Sequence, residues 1–353
     1  MARRWAALTL GLLLGGCIPA TDRPARTPYP PPPAPAPAPP PARASDGIVQ
    51  KLPAPRPAWE SRPVTPDAQT VAEQHYVVQS GDTLGSIAER TGAGITVIAA
   101  ANGLAAPGYV VRTGQRLAIP GGRYHLVRQG QTGIAIARAY GVEWSRIVAA
   151  NDLVEPYVLR TGQRVLIPGG DRPSSAAERA AAFRLDIDDI ITGGEPAIAA
   201  NQRPADAVAT PRRVLPATTA VSAPVAAPGG FLWPVDGPVV KRFGAGASGE
   251  RNDGIEIGAP PGTAIRATAG GTVAYVGDAI TALGGLVIIK HGGGWISVYG
   301  HASRLLVQRG QAVGRGEKIA LSGDTGYADR PEVHFELRRG RGPVDPLAHL
   351  PAR

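Results

Sequence analysis

Five side chains in the C-terminal part of the chain are of types that could work together chemically: Asn252, Glu256, His301, Glu332 and His334. Imidazole nitrogens and carboxylate oxygens are donors that zinc prefers, at about 2.0–2.2 Å, and a hydrolytic zinc site keeps one position open for water. The metal brings that water's pKa down to about 7, and a nearby imidazole can carry its proton. Two histidines and two glutamates supply such groups. Asn252 does not, because a neutral amide oxygen is a poor zinc donor. The five positions therefore admit two readings: a hydrolytic metal site, or a groove that has given up its metal and holds something else.

The elements that must position them are short strands. Thr272–Val276 and Leu286–Lys290 alternate or run apolar, and His291–Gly294 joins the second to Trp295–Tyr299 as a hairpin. Lys318–Ser322 and Val333–Leu337 complete an all-β pattern over residues 230–353, with no helical layer. His291 reads as a hairpin-turn residue, while His75, His125 and His349 carry no motif signal.

Trp233-Pro234-Val235, Gly254-Ile255-Glu256-Ile257, Ala269-Gly270-Gly271-Thr272-Val273, Tyr299-Gly300-His301 and Val333-His334-Phe335-Glu336 together resemble a LytM, or lysostaphin-type, domain. The resemblance implies a frame for the five residues. Active members hydrolyse peptide bonds in peptidoglycan cross-bridges with a zinc held by a His-x-x-x-Asp pair and the last His of His-x-His. A separate His and the first His of His-x-His assist the bound water. In this chain the first frame reads Asn252-Asp253-Gly254-Ile255-Glu256 and the second reads Glu332-Val333-His334, while His301 keeps the separate position. Glu256 is a methylene longer than the expected Asp, so its carboxylate would miss the same point unless the backbone moved. The expectation is a degenerate peptidase homologue with no catalytic residues and no metal or other cofactor. Zinc is expected only if Glu256, Glu332, His301 and His334 rebuild a site.

Upstream lies an internal repeat. Tyr76-Val77-Val78-Gln79-Ser80-Gly81-Asp82-Thr83 corresponds to His125-Leu126-Val127-Arg128-Gln129-Gly130-Gln131-Thr132, and Asn102 to Asn151, 49 positions later. Each unit reads strand, helix, helix, strand: Thr83 can cap a helix carrying Ile87 and Ala88, Ile95 to Ala99 continue helically, and Arg116–Ile119 close the unit before Pro120. These segments resemble LysM modules, at residues 73–121 and 122–170. The family binds N-acetylglucosamine-containing glycans, including peptidoglycan, through the loop after the first strand and the loop before the second. Carried over, the glycan-binding candidates are Gly81, Asp82, Thr83, Tyr109 and Val110 in module 1, and Gly130, Gln131, Thr132, Tyr157 and Val158 in module 2. Module 2 departs from the pattern, with Gln131 for Asp and Gly133 for Leu.

The remaining sequence reads as a leader and two linkers. Arg3, Arg4 and the apolar run Ala6–Leu14 form a processing signal, too short for the about 20 residues of a membrane-spanning helix. Leu14-Gly15-Gly16-Cys17 resembles a bacterial lipobox, implying cleavage after residue 16 and lipidation of Cys17, the chain's single cysteine, so no internal disulfide is possible. Residues 17–72 are a Pro/Ala-rich tether whose composition favours extended polyproline II. Residues 171–229 form a second linker holding a short amphipathic helix. Ser175–Glu178 reads as a capping box, Ala176, Ala180, Phe183, Ile187 and Ile190 fall on one stripe, and Asp186, Asp188 and Asp189 sit near its C-terminal end, where the helix dipole disfavours them. A helix this short needs something to pack on: module 2, or, as a regulatory helix, the C-terminal domain or a binding partner. The net charge of +9 is scattered, with no nucleic-acid motif.

Lipobox, tether, two βααβ LysM modules, Pro-rich linkers and an all-β degenerate LytM domain together resemble the NlpD-type lipoproteins. The resemblance implies an outer-membrane lipoprotein facing the periplasm. It would bind peptidoglycan glycan strands and activate an N-acetylmuramyl-L-alanine amidase in septal peptidoglycan splitting and cell separation. The alternatives are an active zinc endopeptidase and a passive link between outer membrane and peptidoglycan.

Overall fold

The computed structural model of the protein describes residues 58–169, 175–209, 215–225, 228–246 and 249–353. The signal segment, Cys17 and most of the tether lie outside the described residues. Among the described residues no helix is long and apolar enough to cross a membrane.

A short helix, α1 (Ala58–Ser61), and a strand, β1 (Gln69–Val71), come first. Module 1 then runs β2 (Gln74–Val77), α2 (Leu84–Thr91), α3 (Ile95–Ala101) and β3 (Arg116–Ile119). Module 2 repeats it as β4 (Gly122–Leu126), α4 (Gly133–Tyr140), α5 (Trp144–Ala150) and β5 (Arg164–Ile167). Both follow the βααβ order. Thr83 and Thr132 each cap the next helix by accepting from a backbone N–H one turn on, at 3.1 and 3.0 Å. Asn102 and Asn151 lock the second helix to the closing strand. Each carboxamide donates to a helix carbonyl and accepts from a strand N–H, of Ala118 and Leu166 respectively, at 2.8 and 2.7 Å. Ile87, Ile98, Leu117 and Ile119 are fully buried in module 1, and Ile136, Ile147, Val165 and Ile167 take the matching places in module 2. At about 1.5–3 kcal/mol for each such side chain, these small cores are what hold the modules together.

Two stretches expected as tethers are packed. Residues 58–71 lie along module 2: Trp59 is buried and stacks on Tyr275 with ring centroids 5.7 Å apart, and β1 pairs antiparallel with β4, Gln69 facing Tyr124. Module 2 therefore has a three-stranded sheet, β1-β4-β5, where module 1 has only β2–β3. Trp59 and Val71 are enough to anchor a segment whose average composition is that of an extended chain.

The second linker carries two helices, α6 (Ala176–Ala182) and α7 (Ile187–Gly193), rather than one. The Ser175–Glu178 capping box opens the first. Phe183 is extended, and Asp186 then starts a new helix, its side chain accepting from Asp189 N at 2.7 Å. The three aspartates thus sit at a helix N-terminus, where the dipole favours them, and not at the C-terminal end expected from the continuous stripe. Helix α7 packs on both module 2 and the C-terminal domain. Ile190 and Ile191 join Ile134 and Ala135 of module 2 and Tyr275, Leu286, Ile288, Ile296 and Val298 of the C-terminal domain in one apolar cluster.

The C-terminal domain is built from β6 (Val239–Lys241), β7 (Gly244–Ala245), β8 (Arg251–Asn252), β9 (Ile255–Gly258), β10 (Ala264–Arg266), β11 (Gly271–Gly277), β12 (Gly285–Lys290), β13 (Trp295–Leu305), β14 (Ala312–Val313), β15 (Lys318–Ser322), β16 (Glu332–Arg339) and β17 (Gly342–Val344). The main sheet is antiparallel in the order β14-β11-β12-β13-β16-β9-β6, with β15 joining β10 to β13 and β17 on β16. Strand β16 shows how the domain sorts its side chains. Val333, Phe335 and Leu337 enter the apolar core on one face, while Glu332, His334, Glu336 and Arg338 share the other, and all seven are buried.

Candidate functional site

The charged face of β16 forms the floor of the candidate site, flanked by β9 and β13. His334 lies opposite Glu256, and Val298 and Ile296 opposite Glu336 and Arg338. His334 donates from Nδ1 to Glu256 Oε1 at 2.7 Å and from Nε2 to Glu336 Oε1 at 2.9 Å. Burial alone would lower the imidazole's pKa, but the two carboxylates override it and push it up to about 10. His334 is therefore an imidazolium clamped between two anions. Burial pushes the Glu256 carboxyl up, and the His334 hydrogen bond together with the positive charges around it outweighs this, leaving it below its ordinary value.

His301 lies on β13 at φ 60, a left-handed conformation uncommon for a residue with a side chain. Its N–H donates to Leu283 O and its Nδ1 to Thr325 O, both at 2.7 Å, which fixes the ring. Its Nε2 faces Glu256 Oε2 across 3.9 Å, and that carboxylate oxygen has no hydrogen-bond partner. Burial holds the His301 imidazole below its usual pKa. Glu332 sits at the edge of the group, its carboxyl pushed up by burial and by the Glu256 charge. Asn252 is turned away to its own loop: Oδ1 accepts from Gly254 N at 3.2 Å and Nδ2 donates to Arg242 O at 3.3 Å.

Ligand atoms of Glu256, His301 and His334 all lie within 4.8 Å of one another, so the fold still brings three of the five residues to one point. Their chemistry does not fit a catalytic zinc. Asn252 has its oxygen committed to the backbone, and both nitrogens of His334 carry protons given to carboxylates. Of the three ligands the enzyme frame expects, only His334 is of the expected type; Asn252 and Glu256 replace the His and the Asp of the other pair. The positive charge at the centre of the floor is supplied by His334 itself. The domain is a degenerate, non-catalytic member of its fold.

Two residues essential to this arrangement are absent from the sequence-level candidates. Glu336 bridges His334 to Arg338, whose Nη1 donates to Glu336 Oε2 at 2.6 Å, and Arg338 Nη2 pairs with Asp188 on α7. Period-two spacing along a strand is the signal that places 334, 336 and 338 on one face. His291 is not in the groove: it is buried under its hairpin, bonded to Gly270 O and Ser297 Oγ, both at 2.8 Å.

The ten glycan candidates divide sharply. In module 1, Gly81, Thr83 and Val110 are exposed and Asp82 and Tyr109 half-buried. Asp82 accepts from Tyr76 Oη and Gln79 N, each at 2.8 Å, and pairs with Arg90 at 3.2 Å. In module 2, Gly130, Gln131 and Thr132 are buried, and Tyr157 and Val158 line a cavity of about 350 Å³ shared with Val221, Lys290 and Trp295. Gln131 Oε1 accepts from the buried His125 Nε2 at 3.0 Å, a neutral pair in place of Tyr76 and Asp82. Gly133 stands where Leu84 stands in module 1 because Trp144 fills the space: a Cβ on Gly133 would lie 2.6 Å from the indole. Trp144 Nε1 donates to Thr192 Oγ1 of α7 at 3.0 Å.

Known proteins resemble the chain over most of its length. The LysM domain family matches residues 76–120 and 125–168, and peptidase family M23 matches residues 250–346. A protein of Pseudomonas aeruginosa described as a lipoprotein NlpD/LppB homolog is 38% identical over 297 residues, covering 83% of this chain and 82% of that protein. The murein hydrolase activator NlpD of Escherichia coli is 43% identical over 123 residues, covering 35% of this chain and 32% of its own length, so this chain spans about a third of that relative. Among solved structures, the catalytic domain of the antimicrobial peptidase lysostaphin from Staphylococcus simulans is 25% identical, covering 32% of this chain and 88% of that one, with a TM-score of 0.29.

Proposed function

The chain belongs to the NlpD/LppB family of lipoproteins, and on that premise we propose that it is a peptidoglycan-binding envelope lipoprotein that activates an N-acetylmuramyl-L-alanine amidase during septal peptidoglycan splitting. The observation that carries this reading is the Asn252 position: where the enzymes place a zinc-binding histidine stands a neutral amide turned to the backbone, while Glu256, His301 and His334 stay together on the groove floor, joined by the hydrogen bonds of His334 to Glu256 and Glu336. The relative named a murein hydrolase activator supports the same direction. Activation then consists of binding the amidase's active conformation more tightly than its resting one. Gly81, Asp82, Thr83, Tyr109 and Val110 of module 1 hold the glycan, and a lipid on Cys17 anchors the chain to the outer membrane, facing the periplasm.

The test is release of soluble fragments from purified peptidoglycan by the chain alone, by a cognate amidase alone, and by both. Release only by the pair, or well above the amidase alone, is expected. Release by the chain alone, accompanied by stoichiometric zinc in elemental analysis, would identify an endopeptidase. No enhancement of the amidase would leave a passive envelope link.

A further inference from the structure

The two modules carry the same slot between their two loops, and in module 2 the chain has already filled it. Residues 196–198 run through it in extended form. Gly130 N donates to Ala197 O at 2.9 Å and Ala197 N to Gln131 O at 2.7 Å on one wall. On the other, Ile198 N donates to Leu159 O at 3.2 Å and Thr161 N to Ile198 O at 2.9 Å. Thr132 bridges Pro196 antiparallel and Arg160 bridges Ile198 parallel, so the segment is a strand added between two edges. The side chains follow the backbone: Ala197 and Ile198 are buried.

The matching groups of module 1 are Gly81 N, Asp82 O, Val111 O and Thr113 N, and none of them has a backbone partner among the described residues. The slot is thus the same backbone device in both modules, open in one and satisfied in the other. The filling segment is held at its head. Glu195 is buried, pairs with Arg309 at 2.6 Å and Lys290 at 3.8 Å, and accepts from Val221 N at 2.9 Å, while Arg309 also donates to Thr219 O. Arg309 and Lys290 belong to the C-terminal domain, so the strand that fills module 2 is fastened to that domain.

We propose that residues 195–198 are the resident ligand of module 2. This module does not take glycan but clasps its own chain, fixing the C-terminal domain, and the protein seizes a single glycan strand, at module 1. The second part rests on the glycan reading above; the first does not. Amide hydrogen exchange on the full chain separates them. Exchange at Gly130, Thr161, Ala197 and Ile198 is expected to be slower than at Gly81 and Thr113 by about tenfold or more, the factor one backbone hydrogen bond supplies. Equal rates at the two sets would overturn the clasp. Glu195→Gln, which keeps the side-chain volume, and Ala197→Pro, which removes the donor to Gln131, are each expected to speed exchange at Gly130. If neither does, the clasp falls. Adding an N-acetylglucosamine pentamer is expected to slow Gly81 and Thr113, leave the module 2 amides unchanged, and titrate at one per chain. Slowing at module 2, or two per chain, would overturn the single-strand claim. A pentamer that moves no amide would remove the glycan reading and leave the clasp supported by the first measurement.

Discussion

Modules 1 and 2 are copies of one fold that differ in whether the slot between their two loops is filled, and the difference lies in few residues. Module 1 keeps Leu84 and Ile95, a charged Tyr76–Asp82–Arg90 cluster beside its first loop, and an open slot. Module 2 has Gly133 and Trp144 at the two apolar positions and a neutral His125–Gln131 pair at the polar one. The residues that partner these departures also reach outside the module. Trp144 reaches α7, and Tyr140, bonded to His125 Nδ1 at 3.0 Å, accepts from Ala68 N on the segment leading to β1. A departure from a binding motif can therefore record a new internal contact rather than simple loss.

This contrast can be broken at its centre. Trp144→Ala removes a fully buried indole and its bond to α7, and should cost about 3–5 kcal/mol in thermal or denaturant unfolding. A cost under about 1 kcal/mol would mean that module 2 is not joined to its surroundings through this residue. Gly133→Leu, which writes module 1's residue into module 2, forces a side chain into the indole and should cost about 1–3 kcal/mol. Adding Trp144→Ile to that variant should restore the core while leaving Thr192 without its donor, so module 2 would regain stability and α7 would exchange faster. Failure of the second change to rescue the first would show that the two positions do not compensate.

A pH series tests the same join more gently. Asp189, in the capping box of α7, is pushed up to about 7, first by burial and then by the Asp186 charge, whereas the capping box of module 1 contains no ionisable group. Its unfolded value is about 3.9, so the native state holds the proton more tightly than the unfolded one. Stability should fall as pH rises between about 4 and 7, by at most about 1.4 kcal/mol per unit, and level off above. Asp189→Asn should remove that slope; an unchanged slope would assign it elsewhere. Smallest of all should be Ile95→Ala, the module 1 counterpart of the tryptophan change. Ile95 is 41% exposed, and the loss should not exceed about 1 kcal/mol by the same unfolding measurement.

Much of this was legible in the sequence. The repeat, the threonine caps and the alternating strands are local signals, and their residues act where the pattern puts them. The metal frame was legible because it is a spacing: Asn252 and Glu256 four apart, Glu332 and His334 two apart. What the sequence hid was long-range. Nothing local announces that Glu336 completes the His334 clamp, since a glutamate on an alternating strand ordinarily faces water. Asp186, Asp188 and Asp189 looked misplaced until Asp186 proved to begin a new helix. Pro/Ala-rich composition averages over Trp59, Glu195 and Ile198, and a few anchors suffice to dock a segment whose mean cannot build a core.

One detail of the fold bears on how the molecule would behave under tension. Strand β1 belongs to module 2's sheet although it precedes module 1 in the chain. A pull from the N-terminal side is met first by Trp59 against Tyr275 and by β1 against β4, and is handed to the C-terminal domain without crossing residues 74–119. Module 1 hangs beside the line of force as an excursion between neighbouring strands. On the glycan binding proposed for module 1, its open slot would grip and let go of a strand while the load is carried elsewhere.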